Sequence, residues 1–176
     1  MPFTPFHMGP ALAIKAVTGR RFSVLAFGIA QVAMDIEPLV GMIRGSEVLH
    51  GPTHTYLGAV VIGTAVAAVS PLICGPILRY WNRQLSLNHL GWLATPGTLE
   101  RIPAIAGAFV GTISHVILDS VMHSDISPLA PWSNANVLRG MISIEALHQV
   151  CVLSGLLGVA AWLIVGWRNR KVAGEG

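Results

Sequence analysis

The stretch Ile102-Pro-Ala-Ile-Ala-Gly-Ala-Phe-Val-Gly-Thr-Ile-Ser-His115-Val-Ile-Leu-Asp119-Ser-Val-Met-His123 is apolar for almost its whole length, yet it carries a histidine and an aspartate four residues apart. Roughly 20 consecutive apolar residues suffice to cross a bilayer as a helix. Residues i and i+4 lie on one helix face, so a span built from this stretch presents an imidazole and a carboxylate to a common point. Ionisable groups inside a span are costly and usually face a cavity, a partner or an ion. The segment therefore predicts both a membrane helix and a buried polar site on it.

Three further stretches, about 22–43, 55–79 and 141–167, have the same apolar length. The 176-residue chain is 53% hydrophobic and only 11% charged, with a mean hydropathy of +0.64; an ordinary soluble domain is about 25% charged. The expected fold is an all-α integral membrane protein of four transmembrane helices, forming one membrane-embedded domain over residues 1–176. Pro71 and Pro76 are expected to kink or end the second span. The segment from Met1 to His7 lacks the regions of a cleavable signal peptide. Cys74 and Cys151 show neither a zinc-type nor a disulfide-type spacing and are expected to be buried thiols.

The basic residues set an expected orientation. Lys15, Arg20 and Arg21 precede the first span, Arg79, Arg83 and Arg101 flank the middle connection, and Arg168, Arg170 and Lys171 follow the last. Only Arg44 and Arg139 fall in the other two connections. The positive-inside rule then places both termini and the middle loop in the cytoplasm. The pI near 9.3 reflects this loop bias, and without an aromatic platform among the basic residues no nucleic-acid partner is expected; the partner is the lipid bilayer. Gly107 and Gly111 form a GxxxG that suits a dimer contact or a contact within the bundle equally, and no other feature bears on an oligomer.

On this map the ionisable residues segregate to the outer side. Asp35 and Glu37 lie in the outer half of the first span, and Glu47, His50 and His54 in the connection that follows. His115, Asp119, His123 and Asp125 stand at the outer end of the third span, and Glu145 and His148 at that of the fourth. His50-Gly-Pro-Thr-His54 repeats the one-turn spacing of His115 and Asp119. Neutral imidazole and carboxylate are the donors that zinc and similar divalent ions accept. His7 joins the group if residues 8–18 form a short re-entrant helix folding back at Thr18-Gly19-Arg20-Arg21. His7 lies 13 residues before Arg20 and Asp35 15 after it, so at about 1.5 Å per residue the two come level.

Together these residues resemble the YdjM-like family of predicted membrane-bound, metal-dependent hydrolases of bacteria and archaea. The shared features are an early histidine (His7), Met34-Asp35-Ile36-Glu37-Pro38 near the end of the first span, the box His50-Gly-Pro-Thr-His54, and Ser114-His115-Val-Ile-Leu-Asp119 followed by the Pro-containing loop from Ser127 to Trp132. Order and approximate spacing agree over residues 7–132. The resemblance implies a metal set of His7, Asp35, His50, His54, His115 and Asp119, with Glu37 in place of the family's second aspartate, in a prokaryotic cytoplasmic (inner) membrane. The arginine that follows the first histidine of the family's box is absent here. His123, Asp125, Glu145 and His148 lie outside the pattern; His123 and His148 are candidates for additional ligands.

Six or more candidate ligands exceed the needs of one zinc, so two divalent ions per protomer are expected, zinc first, with manganese or iron as alternatives. Asp35 is the expected bridge, Glu37 the first choice for a catalytic base and Glu145 the second. Thr53 is expected to cap the following helix or to donate to a phosphate oxygen. The expected activity is hydrolysis of an amphiphilic phosphoester of the phospholipid or polyprenyl-phosphate type. The competing expectations are a transporter of protons or divalent cations and a non-catalytic, metal-stabilised scaffold.

Overall fold

A computed structural model describes the backbone of residues 5–174 and the side chains of residues 6–168. The orientation argument from Arg170 and Lys171, and the reading of Met1 to Thr4, lie outside the described side chains. Five α-helices follow one another: α1 (Gly9–Thr18), α2 (Val24–Arg44), α3 (Tyr56–Leu87), α4 (Arg101–Met122) and α5 (Ile144–Gly174). No strand occurs among the described residues. Four helices, α2 to α5, are long and apolar enough to cross a membrane. Short 3-10 turns at Pro5–Met8, Gly19–Arg21, Pro52–His54 and Gly91–Leu93 punctuate the chain.

Local chemistry explains the boundaries. Ser23 caps α2 by accepting from the Ala26 amide, and Thr55 caps α3 by accepting from Gly58, each satisfying one of the orphan amides of a first turn. The cap of α3 is therefore Thr55; Thr53, the expected one, sits in the preceding 3-10 turn. Gly45, at φ 68°, closes α2 in the left-handed conformation that glycine adopts without strain. Pro71 and Pro76 do not end α3, which runs on to Leu87. Apolar surroundings leave the remaining backbone groups no better partner than the helix itself, so spans tolerate proline.

Helices α2, α3 and α4 pack on one another, whereas α5 leans mainly on the short α1. Glycine permits both contacts. A β-carbon at Gly107 would stand 2.4 Å from the Ser23 carbonyl oxygen, and one at Gly111 2.8 Å from the Ala30 methyl, so the GxxxG of α4 is used against α2 within the chain. Likewise a β-carbon at Gly9 would fall 1.9 Å from the Cys151 oxygen and one at Gly158 2.3 Å from the Leu12 carbonyl carbon. Residues 9 and 12 of α1 thus meet 151 and 158 of α5, and the two helices run parallel. The starts of α1, α3 and α5 and the ends of α2 and α4 share one end of the bundle, and most of the described acidic residues and histidines gather there.

Replacing Gly158 by alanine is expected to lower the stability of the detergent-purified protein by about 1–3 kcal/mol through overpacking, read as an earlier thermal unfolding transition. Gly91→Ala, where a β-carbon would meet nothing within 4 Å, is expected to leave that transition in place.

Candidate metal centre

Four side chains from three elements meet at this end of the bundle. Asp35 comes from α2, His54 from the 3-10 turn before α3, and His115 and Asp119 from α4; all four are buried and offer donor atoms within 4.8 Å of one another. His115 and Asp119 stand as their helical spacing predicts, with Nε2 3.2 Å from Oδ2. His50 and His54 do not share a helix face: Gly51 and Pro52 keep the segment in a loop and a 3-10 turn, and the two rings meet edge to face at 4.7 Å.

The hydrogen bonds fix which ring nitrogens face inward. The Gln31 side-chain amide donates to the Gly111 carbonyl at 2.9 Å, which turns its Oε1 towards His115 Nδ1, 2.6 Å away. Nδ1 of His115 is therefore a protonated nitrogen, and Nε2 is the one turned inward. A parallel relay serves His54. Glu37 Oε2 accepts from the amides of Gly51 and Thr53, each at 3.1 Å, and from the Thr53 hydroxyl. With its proton given to Glu37, Thr53 Oγ1 accepts from His54 Nδ1 at 2.9 Å. His54 Nε2 is then the nitrogen turned inward, and it lies 3.3 Å from His115 Nε2.

Two nitrogens turned towards each other beside two carboxylates call for a positive charge between them, supplied by a proton on one ring or by a metal ion. The surrounding distances suit one: His54 Nε2 is 3.6 Å from Asp119 Oδ2, and His115 Nε2 is 3.5 Å from Asp35 Oδ1. A tetrahedral ion with bonds of about 2.0–2.1 Å has donor-to-donor edges of about 3.3–3.4 Å. The cluster could hold a metal ion, with Gln31 and the Glu37–Thr53 pair orienting its histidines.

His7, at the 3-10 turn before α1, is 3% exposed and reaches the rim of this cluster. Its Nε2 is 3.5 Å from Asp119 Oδ1, its ring stands edge-on to that of His115, and neither ring nitrogen has a hydrogen-bond partner. Burial pushes its pKa down, against the pull of the Asp119 carboxylate, which keeps the ring neutral and able to donate a lone pair. Asp119 therefore faces His7 with one oxygen and His54 and His115 with the other.

A second group adjoins the first. His50, His123 and Asp125 offer donors within 4.8 Å of one another, with His123 and Asp125 only partly buried. His123 follows the last turn of α4, and its amide donates to the Asp119 carbonyl at 2.8 Å. Asp125 lies 3.0 Å from His50 Nδ1 and accepts from the amides of Leu49 and His50. Burial raises the Asp125 pKa, but the bonds from His50 and the two amides outweigh it and hold the carboxyl below its ordinary range. Burial lowers the pKa of His123.

The remaining nominated residues stand elsewhere. Glu145 is exposed on the first turn of α5, and His148 stacks on Phe6 with ring centroids 4.5 Å apart; neither belongs to the two donor groups. Glu37 and Thr53 are committed to holding the loop and orienting His54. Gln31 was missed because an amide in a span carries no ligand signature in sequence; its position one turn before Asp35 on α2 was the available hint.

Fold and site together define a helical chain with four membrane-competent helices and a buried His/Asp cluster able to take a metal ion. The chain belongs to the DUF4184 family, a domain of unknown function whose family model matches residues 1–175. No curated protein and no solved structure matches it.

Removing either orienting contact is expected to weaken metal binding without deleting a ligand. Gln31→Leu and Thr53→Val should each lower affinity about 10–100-fold, measured by competition with a chromogenic chelator. Unchanged affinity in both would show that these contacts do not fix the histidines.

Proposed function

We propose that this protein is a membrane-bound, metal-dependent hydrolase that cleaves an amphiphilic phosphoester, of the phospholipid or polyprenyl-phosphate type, at the end of the bundle where the two donor groups adjoin. The observation that carries the reading is the pair of inward-facing Nε2 atoms of His54 and His115, 3.3 Å apart and flanked by Asp35 and Asp119. The likeness of the His50–His54 and Ser114–Asp119 boxes to the YdjM-like hydrolases supports it. Two divalent ions, zinc first, would occupy the quartet and the adjoining His50–His123–Asp125 group; when bound, they lower the pKa of a water towards neutrality and polarise the phosphoryl oxygen.

The chain's own residues have separate tasks in this reading. Asp119 links His7 to the quartet, and Glu37 positions His54 through Thr53 instead of serving as the base. The exposed Glu145 stays available to solvent near His148. Helix α1, ten residues long, acts as the re-entrant element that carries His7 to the site from a cytoplasmic N-terminus, with the site towards the outer face. A substrate anchored in the bilayer suits a reactive centre at the mouth of a membrane bundle.

Transport of a cation has less support. Below the cluster two apolar groups pack, Ala30 with Val66 and Ala108, and Ala11 with Phe22 and Phe27, and the polar side chains buried in the bundle there, such as Ser70 and Thr112, are hydroxyls. A scaffold that only binds metal would show the same quartet but no hydrolysis.

Elemental analysis of detergent-purified protein should find close to two metal ions per protomer, and the double variant Asp35→Ala/His115→Ala should lose the ion of the quartet together with hydrolysis of lipid phosphoesters. A parent without stoichiometric metal after reconstitution with zinc and manganese would overturn the reading. A metal-replete parent inert on every phosphoester class would favour the scaffold.

A further inference from the structure

The two donor groups differ in a way that bears on where the reactive water sits. In the quartet, four protein donors close on one point: His54 Nε2, His115 Nε2 and Asp119 Oδ2 form a triangle with edges of 3.3, 3.2 and 3.6 Å, and Asp35 Oδ1 lies 3.5 Å from one corner. Both histidines are fully buried. Four protein donors fill the tetrahedral shell of a zinc-type ion, the arrangement of closed structural sites, whereas catalytic sites keep three protein donors and leave a position for water.

The outer group has the second arrangement. His50, His123 and Asp125 offer one donor each, three at most, and both Asp125 oxygens are also engaged by His50 Nδ1 at 3.0 Å. That contact leaves His50 Nε2 as the bare nitrogen, the carboxylate–histidine pairing that orients metal ligands. The Asp125 side chain is 28% exposed, so solvent reaches this group directly. His123 and Asp125 lie outside the resemblance to the YdjM-like boxes, so the assignment comes from this chain's own geometry.

We infer that the His50–His123–Asp125 group is a second metal site of a different kind, labile and open to anionic ligands, and that it, not the buried quartet, presents the coordination position where water and a phosphoryl oxygen bind. The inference rests on the metal-dependent reading above. The quartet then serves as a slowly exchanging positive centre next to it, joined through the His123 amide on the Asp119 carbonyl and the His50 ring against His54.

The test uses the full chain in detergent, loaded with cobalt(II), whose visible absorption reports coordination. Inorganic phosphate is the probe. The parent should hold two cobalt ions, lose one quickly to a competing chelator and the other slowly, and show an absorption shift with phosphate. His123→Ala, and His123→Gln as the milder variant, should retain the slow ion, lose the fast one and lose the phosphate-induced shift; retention of the slow ion also shows that the variants fold. Removal of both ions at one rate, or a phosphate shift that survives in both variants, would overturn the inference. If the two ions separate as expected but no phosphoester is cleaved, the assignment of the open site stands and the hydrolase reading fails.

Discussion

Two imidazole nitrogens held 3.3 Å apart and turned towards each other form a contact that an apolar bundle does not keep without cause. Each ring has its other nitrogen tied outward, His115 to Gln31 and His54 to Thr53, so a neutral ring cannot move its proton inward without breaking a buried hydrogen bond, and only a gained proton or a metal ion fills the space between the two Nε2 atoms. Leaving a buried polar group unsatisfied costs about 1–3 kcal/mol. The two nearby carboxylates make the same demand in the opposite sense, since they lower the potential at the centre and favour a positive charge there. A cation answers both.

The helix packing follows from bringing these groups together. Gln31 can donate to the Gly111 carbonyl only because α2 and α4 approach closely at Gly107 and Gly111, where any β-carbon would strike the backbone or Ala30. In a membrane, where apolar faces gain little by leaving lipid for protein, small residues and interhelical hydrogen bonds hold helices together, the latter at about 0.6–2 kcal/mol each. The same device joins α1 to α5 through Gly9, Gly155 and Gly158. Because α5 makes few contacts with α4, His7 at the head of α1 is where the α1–α5 pair meets the polar centre of the other three helices.

Much of this was legible in the sequence, and the failures have a common cause. Apolar length located the four long helices, and the spacing of His115 and Asp119 read correctly because both stay on a regular helix. The identical spacing of His50 and His54 misled, since Pro52 and the claim of Glu37 on the Gly51 and Thr53 amides hold that segment in a 3-10 turn; the rings meet through loop geometry, which spacing does not encode. Nor does spacing show that Glu37 Oε2 accepts from the Gly51 and Thr53 amides and so holds this loop. Asp125 and His123 belong together only because the loop after α4 folds towards residues 49 and 50, a tertiary contact without a periodic signature. Pro71 and Pro76 do not end the span, because a proline's cost is set by the surroundings of the helix as well as by the residue.

The placement of the donors also argues about direction. A route for an ion through a bundle needs successive sites of similar strength, so that leaving one is no harder than entering the next. Here the donors are concentrated at one end, with the most enclosed set, Asp35, His54, His115 and Asp119, innermost and a half-open set outside it. Beneath them the helices close over small and aromatic side chains, Ala30 and Ala108, then Phe22 and Phe27. Donors gathered at one end of the bundle in this way suit the resident centre proposed above.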